Sequence, residues 1–555
     1  MMMRVRGSGL ALAAVLLATT ASGALAQSAA PGQTTYQQPP SPIADVLDAK
    51  PTPSSMLSPD RETLALMDRS NLPSIQALAE PMLRLAGTRI NPRNNGAAES
   101  RVSWLTGLSL QAVDGGQPRV VALPSGARFT APRFSPDAKS LAFVLDRPAG
   151  LELWVVDVAS ARARKLTDPV VNMTGGAGYD WLPDSSGLLV EAVPAGRGPA
   201  PDVTAAPTGP NIEETAGRVA PVRTYQDLLS NPGDEALFDH YFTSQLTLVP
   251  LNGRARTIRA PAVYLDASLS PDGKYILHEI AKRPYSYAVP AGLFPTEIVV
   301  TDMAGRVVRT VADLPLRDDV PTAFDAVAPG PRSVGWRADA PATLTWVEAL
   351  DGGDIRNQAE FRDRVFMQAA PFTAEPVKLI DLKERYAGIV WGKDDLAVVN
   401  SRWFNTRHES RFVVDPSKPG EGRLLLERNY QARYDNPGQP VTQPNAAGRP
   451  VIRFTPDGKI LMQGAGATPQ GEFPFLAALD PATGRSERLW TSAQSDYEFV
   501  VGFLDADGKR VVTQRETRLD PPNLQIRDLT TGQTTALTNF PDPAPQLAGA
   551  TRQLV

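Results

Sequence analysis

"LSPDGKYILHE", residues 269–279, decides how this chain is read. An apolar residue, Leu269, closes one strand. Ser270, Pro271, Asp272 and Gly273 then form a turn: proline presets φ, aspartate bonds its own backbone, and glycine accepts a positive φ. The stretch from Lys274 to Ile280 reads as the next strand. The same pattern returns as "LSPDRETLALM" from Leu57, "FSPDAKSLAFV" from Phe134, "WLPDSSGLLVE" from Trp181 and "FTPDGKILMQG" from Phe454. Weaker copies begin at Trp336, Trp391 and Leu504.

A second signature follows many of these copies. "ELWVVDVASARARKLT", "EIVVTDMAGRVVRTV", "FLAALDPATGRSERLW" and "LQIRDLTTGQTTALT" each read as strand, Asp/Gly-type hairpin, strand. Each unit therefore holds about four short strands. The turn motifs recur at spacings of about 50 to 90 residues; the shortest match one four-stranded propeller blade and the longer ones imply insertions. Candidate units fall near 57–125, 133–167, 180–257, 267–313, 333–382, 388–427, 451–491 and 500–540. The expected fold is all-β, a β-propeller of seven or eight four-stranded blades. Eight is favoured, and seven follows if two units merge. A set of β-sandwich domains is the alternative, but it has no need of one motif repeated along the whole chain.

Composition agrees. The chain has 555 residues, 52 of them proline and 43 glycine, too many breakers for a helical protein. The formal net charge of -4 gives no basic footprint for nucleic acid. There is no cysteine, so no disulfide and no lipid on an N-terminal Cys. Residues 1–26 carry Arg4 and Arg6, an apolar run from Leu10 to about Thr19, and Ala24-Leu25-Ala26 before Gln27. That pattern predicts a signal peptide cleaved after Ala26 and a periplasmic or secreted protein. The alternative is an uncleaved anchor, for which the apolar run is short. Losing Arg4 and Arg6 moves the formal charge from -4 to -6. No other stretch is long and apolar enough to span a membrane.

The expected organisation is signal peptide 1–26, an extended Pro-rich lead-in 27–55, the propeller 56–545, and the start of a linker at 546–555. Residues 194–245 form a long insertion in the third unit. Its first half is a Pro/Ala/Gly loop; Tyr225 to Tyr241 has helical character, and "NPGDEALFDHYF" reads as a short capped helix.

No catalytic constellation is legible. G-x-S-x-G is absent, as are H-E-x-x-H and glycine-rich phosphate loops, so neither a catalytic residue, a metal nor a cofactor is expected. His278 lies in a strand and reads as a packing residue; His408 reads as exposed; His240 lies in the insertion without an evident partner set. Asp234 and Glu235 stand at the expected start of the insertion's helix, either as solvated N-terminal acids or projecting into a binding cavity. Arg283, with two tyrosines in "AKRPYSYAVP", is the third candidate substrate contact, against the reading of an ordinary loop. The substrate-binding candidates are thus Asp234, Glu235 and Arg283.

Several stretches carry a resemblance: "LPSIQALAEPMLRLAGTRINPRNNG", "SWLTGLSL", "TYQDLLSNPGDEALFDHYFTSQL", "GPRSVGWRADAPATLTWVEALDGGD" and "LDPPNLQIRDL". From about Ile43 to Val555 the chain is similar to the N-terminal part of prolyl oligopeptidase-family serine peptidases, in the glutamyl endopeptidase-like branch. The resemblance implies a propeller lid that restricts substrates to peptides, followed by an α/β-hydrolase domain with a Ser-Asp-His triad. No residue of this sequence matches that triad, so none is carried over. It also implies a truncated reading frame, or half of a split enzyme with a separately encoded hydrolase, inactive alone. Two other classes compete: a stand-alone periplasmic binding or scaffold propeller, and a propeller lyase or glycosidase with its site in the central channel. The last requires clustered His, Asp and Arg on inner strands, and three scattered histidines do not supply it.

Overall fold

The computed structural model describes residues 37–203 and 223–550. The signal-peptide segment, its cleavage site after Ala26, the start of the lead-in to residue 36, residues 204–222 of the 194–245 insertion and the final five residues lie outside the described residues.

The strands form four-stranded antiparallel meanders spanning 54–120, 128–165, 179–257, 262–314, 332–382, 385–429, 439–491 and 497–536. We number them first to eighth. The first and second share one continuous sheet, as do the third and fourth; the remaining four are separate sheets. Together they make a β-propeller.

Every copy of the opening motif joins the first strand of a meander to its second. In the fourth meander Ser270 Oγ donates to Asp272 Oδ1 at 2.7 Å, and the Tyr275 N–H donates back to Ser270 Oγ at 3.0 Å. The Gly273 N–H closes the turn on the Ser270 carbonyl at 2.9 Å. Ser135 and Asp137, and Thr455 and Asp457, repeat the arrangement. The fourth turn position takes a positive φ in six copies: Arg61, Ala138, Ser185, Gly273, Gly458 and Gly508, from 61° to 82°. The Asp/Gly hairpins join third strands to fourth.

The expected period-2 alternation is weak in second strands. Leu141, Ala142, Phe143, Val144 and Leu145 are all 0% exposed. Each second strand is covered by neighbouring sheets on both faces, so both of its faces must be apolar. Alternation survives in part in third strands such as Thr243–Pro250 and Asp363–Ala369 and in the first strand Tyr497–Phe503, while fourth strands such as Arg162–Lys165 and Ser486–Thr491 are mostly exposed.

Three further differences appear. The lead-in is not wholly extended, because Ser41–Leu47 is a two-turn helix with Pro42 inside its first turn. Its last residues, from Ser54, already belong to the first meander. Among the described residues the 194–245 insertion is helical over Pro232–Phe242, where Asn231 caps and Pro232 fixes the first turn, and not from Tyr225.

Four antiparallel strands bring the chain back to the face it left. Connections between second and third strands, and between meanders, therefore share one face with Ser54 and Ala536, where the ring begins and ends. We call it the insertion face; the motif turns define the turn face. The ring closes without a shared strand. No strand pair joins the first and eighth meanders among the described residues. Instead Leu64, Leu66 and Val113 pack against Val512, Leu524 and Leu537, and Gln111 Nε2 donates to the Leu537 carbonyl at 2.6 Å.

Candidate functional site

The insertion face carries a small folded layer. Residues 70–104 leave the first meander and include a three-stranded sheet, Leu83–Leu85, Thr88–Asn91 and Gly96–Ala97. They pack against the helix Pro232–Phe242 of the third meander and the 282–295 loop of the fourth. The helix follows from local chemistry. Asn231 Oδ1 accepts the Asp234 N–H at 3.0 Å, and Asp234 and Glu235 oppose the positive end of the helix dipole. Its buried side, Leu237, Phe238, Tyr241 and Phe242, meets Leu85 and Ile90. Phe238 is fully buried, edge-on to Tyr285 at 5.0 Å and Phe294 at 5.8 Å. Asp227 ties the layer together by accepting from Arg89 Nε at 2.7 Å.

Around this core lies a polar rim. The Arg283 guanidinium pairs with Glu235 and, at 2.6 Å, with Asp239. It stacks 4.6 Å from the Tyr285 ring, whose hydroxyl donates to Asp239. Burial and then the Asp239 bond raise the Tyr285 phenol. The Tyr287 phenol is pushed up to about 12 by burial and a bond to Glu235. The Asp239 bond, against partial burial, raises the Arg283 guanidinium. Two of the three sequence candidates, Glu235 and Arg283, therefore meet. Asp234 does not join them: its Oδ2 accepts the Ser230 N–H at 2.8 Å and helps cap the helix.

Opposite this layer the turn face is crossed by a hairpin. The first strand of the seventh meander is interrupted by Thr442–Pro444 and Pro450–Ile452, which pair with each other. The hairpin reaches across the ring. Arg449 Nη2 binds Asp180 of the third meander and the Leu269 carbonyl of the fourth, both at 2.9 Å. Asn445 Nδ2 donates to the Ala338 carbonyl of the fifth at 2.8 Å. Gly448 lies so close to the second that a Cβ there would sit 3.1 Å from Pro136 Cγ. A segment of the seventh meander can touch the second to fifth only by crossing the axis, so the hairpin plugs the channel at the turn face.

No family model matches the chain. Two curated relatives do, both called probable glutamyl endopeptidase, chloroplastic. The Oryza sativa subsp. japonica protein is 37% identical over 94% of this chain, and the Arabidopsis thaliana protein 36% identical over 97%. The chain is homologous to these glutamyl endopeptidases along nearly its whole length. It spans 58% and 59% of the length of these relatives. Among solved structures, Pyrococcus horikoshii acylaminoacyl peptidase aligns over 91% of this chain and 54% of its own, at 13% identity and TM-score 0.39. The β-propeller domain of the Trilobed protease from Pyrococcus furiosus aligns over 90% and 98%, at 12% identity and TM-score 0.36.

In this glutamyl endopeptidase-like chain the histidines hold structure. His278 is buried, bonds Thr301 Oγ1 at 2.7 Å through Nε2, and is pushed down to about 3 by burial. His408, expected to be exposed, is half-buried, with Nδ1 2.6 Å from Glu384 Oε1. His240 has its basicity lowered by burial and then by Arg197. No group of three or more His, Asp or Glu able to hold a metal occurs among the described residues. Sequence reasoning missed Asp239, although it stands one helical turn after Glu235 and so shares its face.

Proposed function

We propose that this chain is the propeller portion of an exported S9-type serine peptidase, a lid that admits peptides to a hydrolase. One observation carries the reading: the two faces of the ring are differently finished. The turn face is plugged by the 442–452 hairpin. The insertion face holds the folded layer, both ends of the ring, and an exposed apolar rim of Leu72, Leu78, Phe324, Tyr434 and Leu519. Such a rim fits a partner surface, and a hydrolase domain joined beyond Ala536 would lie over it. The serine, histidine and oxyanion hole of acyl transfer come from that hydrolase. The Glu235–Asp239–Arg283 rim then faces the chamber, where Arg283 and Tyr287 contact substrate. The signal-peptide pattern of residues 1–26 supports export to the periplasm or medium.

The first test is the DNA downstream of codon 555. G-x-S-x-G followed by Asp and His is the expected result; its absence in all frames would move the assignment to a stand-alone binding propeller. A serine-reactive fluorophosphonate should leave the 555-residue chain unlabelled, and labelling of this chain alone would overturn the reading. N-terminal sequencing of the exported protein should begin at Gln27.

A further inference from the structure

Where the first, seventh and eighth meanders meet beside the plug, they line a half-open cavity of about 480 Å³. Leu57, Val501 and Phe503 form its apolar wall; Arg61, Gln443 and Arg453 form its polar one. Arg453 is only 2% exposed. Its Nη1 donates to Gln443 Oε1 at 2.6 Å, and its Nη2 donates to the carbonyls of Asp505 and, at 3.0 Å, Ala506. Arg61 Nη2 donates to the same Gln443 Oε1 at 3.1 Å. Two cations thus converge on one neutral oxygen. Neither forms a salt bridge among the described residues. Asp505, whose carbonyl Arg453 binds, spends its carboxylate on the backbone N–H groups of Lys509 and Arg510.

Among the fully buried arginines of the described residues Arg453 stands apart: Arg337 has Asp339, Arg385 has Asp351 and Arg411 has Glu409. A buried guanidinium normally has such a partner, because desolvating a cation is costly unless an anion compensates. A second observation comes from the backbone. Arg61 occupies the positive-φ turn position, φ 69°, that glycine holds at 273, 458 and 508. Ala138 and Ser185 accept a positive φ at the same position, so what sets Arg61 apart is its side chain and not the strain. Arg61 is the one long charged side chain among the six positive-φ copies, and it is aimed at Gln443.

We propose that this cavity binds an oxyanion, a carboxylate or phosphate group held between Arg61 and Arg453 beside the Gln443 amide. The charge arrangement supplies fork-shaped donors to a planar or tetrahedral anion. The source is either the carboxylate of a peptide in the channel or free inorganic phosphate. The site belongs to the propeller alone and does not depend on a hydrolase.

The test is calorimetric titration of the full chain with three probes: acetyl-Ala-Ala-Glu, the same peptide with both carboxyls amidated, and inorganic phosphate. At least one anion is expected to bind saturably, with the diamide at least tenfold weaker than the acid peptide if the peptide is the source. Phosphate binding without acid-peptide binding assigns the site to the free ion, and competition between them assigns a shared site. Arg61→Gln should weaken binding at least fivefold. Gln443→Glu, which places a carboxylate between the guanidiniums, should abolish binding and raise the Tm of the unliganded chain. Failure of both anions to bind, equal binding of acid and diamide, or a Gln443→Glu chain that still binds or melts lower would each overturn the proposal.

Discussion

The third–fourth junction and the eighth–first seam solve the same problem in opposite ways. At the third–fourth junction, strands hydrogen-bond across: Thr243 pairs with Val263 and Ser244 with Ala262. The channel wall there is acidic, with Asp266 near Asp180, Glu191 and Glu279. Burial, and then Asp266, push the Glu191 carboxyl up to about 8. At the seam no strands pair among the described residues, closure is mainly apolar, and beside it Arg61 of the first meander and Arg453 of the seventh converge. The plug spans both: Arg449 neutralises part of the acidic wall, while Gln443 offers the basic side only an amide. The lesson is that hydrogen-bonded continuity tolerates a wall of crowded like charges, whereas a seam held by packing alone leaves room for a cavity.

The largest expected effect breaks the seam. Leu64 is 1% exposed within it, and Leu64→Ala should cost about 3 kcal/mol in denaturant unfolding. Hydrogen exchange should then open the first and eighth meanders before the third and fourth. If all four open together, the seam is no weaker than the paired junction.

The acidic wall is sharpened by pH. A carboxyl whose folded pKa is raised stays protonated in the fold after the unfolded chain has released its proton. Folding stability should therefore fall as pH rises from the ordinary glutamate value toward about 8. Glu191→Gln should flatten that slope and stabilise the chain at pH 8 by on the order of 2 kcal/mol. An unchanged Tm–pH profile would show that Glu191 is solvated.

A smaller effect separates plug from wall. Arg449→Met removes the ion pair to Asp180 and should cost about 1 kcal/mol, since the pair is partly exposed. Limited proteolysis should then cut between Asn445 and Arg449. A hairpin that stays resistant is held by its other contacts.

The smallest effects lie in the turns. Gly273→Ala, at φ 68° and with Pro183 Cδ 3.2 Å from the new Cβ, should lose about 1 kcal/mol. Ala138→Gly, at φ 61°, should change stability by less than about 0.5 kcal/mol. Equal penalties at both would mean that local turn strain is not the cause.

Much of the fold was legible because its signals are local. Ser270, Asp272 and Gly273 bond one another within five residues, so the turn is written in sequence wherever it recurs. The meander boundaries follow the expected units within about five residues except at the seventh, which starts at Gln439 and not near 451 because the hairpin splits its first strand. Helix Pro232–Phe242 was legible too, because "NPGDEALFDHYF" carries its own cap in Asn231 and Pro232; only the helical character extended back to Tyr225 is absent. The site was legible only in part. Glu235 and Arg283 meet through a loop that no local pattern places on the helix, and Asp234 turned out to serve the cap beside them.

The sequence by itself determined a repeated four-strand unit, its turns, and the absence of a nucleophile elbow, because each depends on residues within a few positions of one another. Only the tertiary structure decided that the 442–452 hairpin crosses the channel, that the ring closes by packing, and that Arg61 and Arg453 share one oxygen. Those partners lie hundreds of residues apart, and only the closing of the ring brings them within hydrogen-bonding reach.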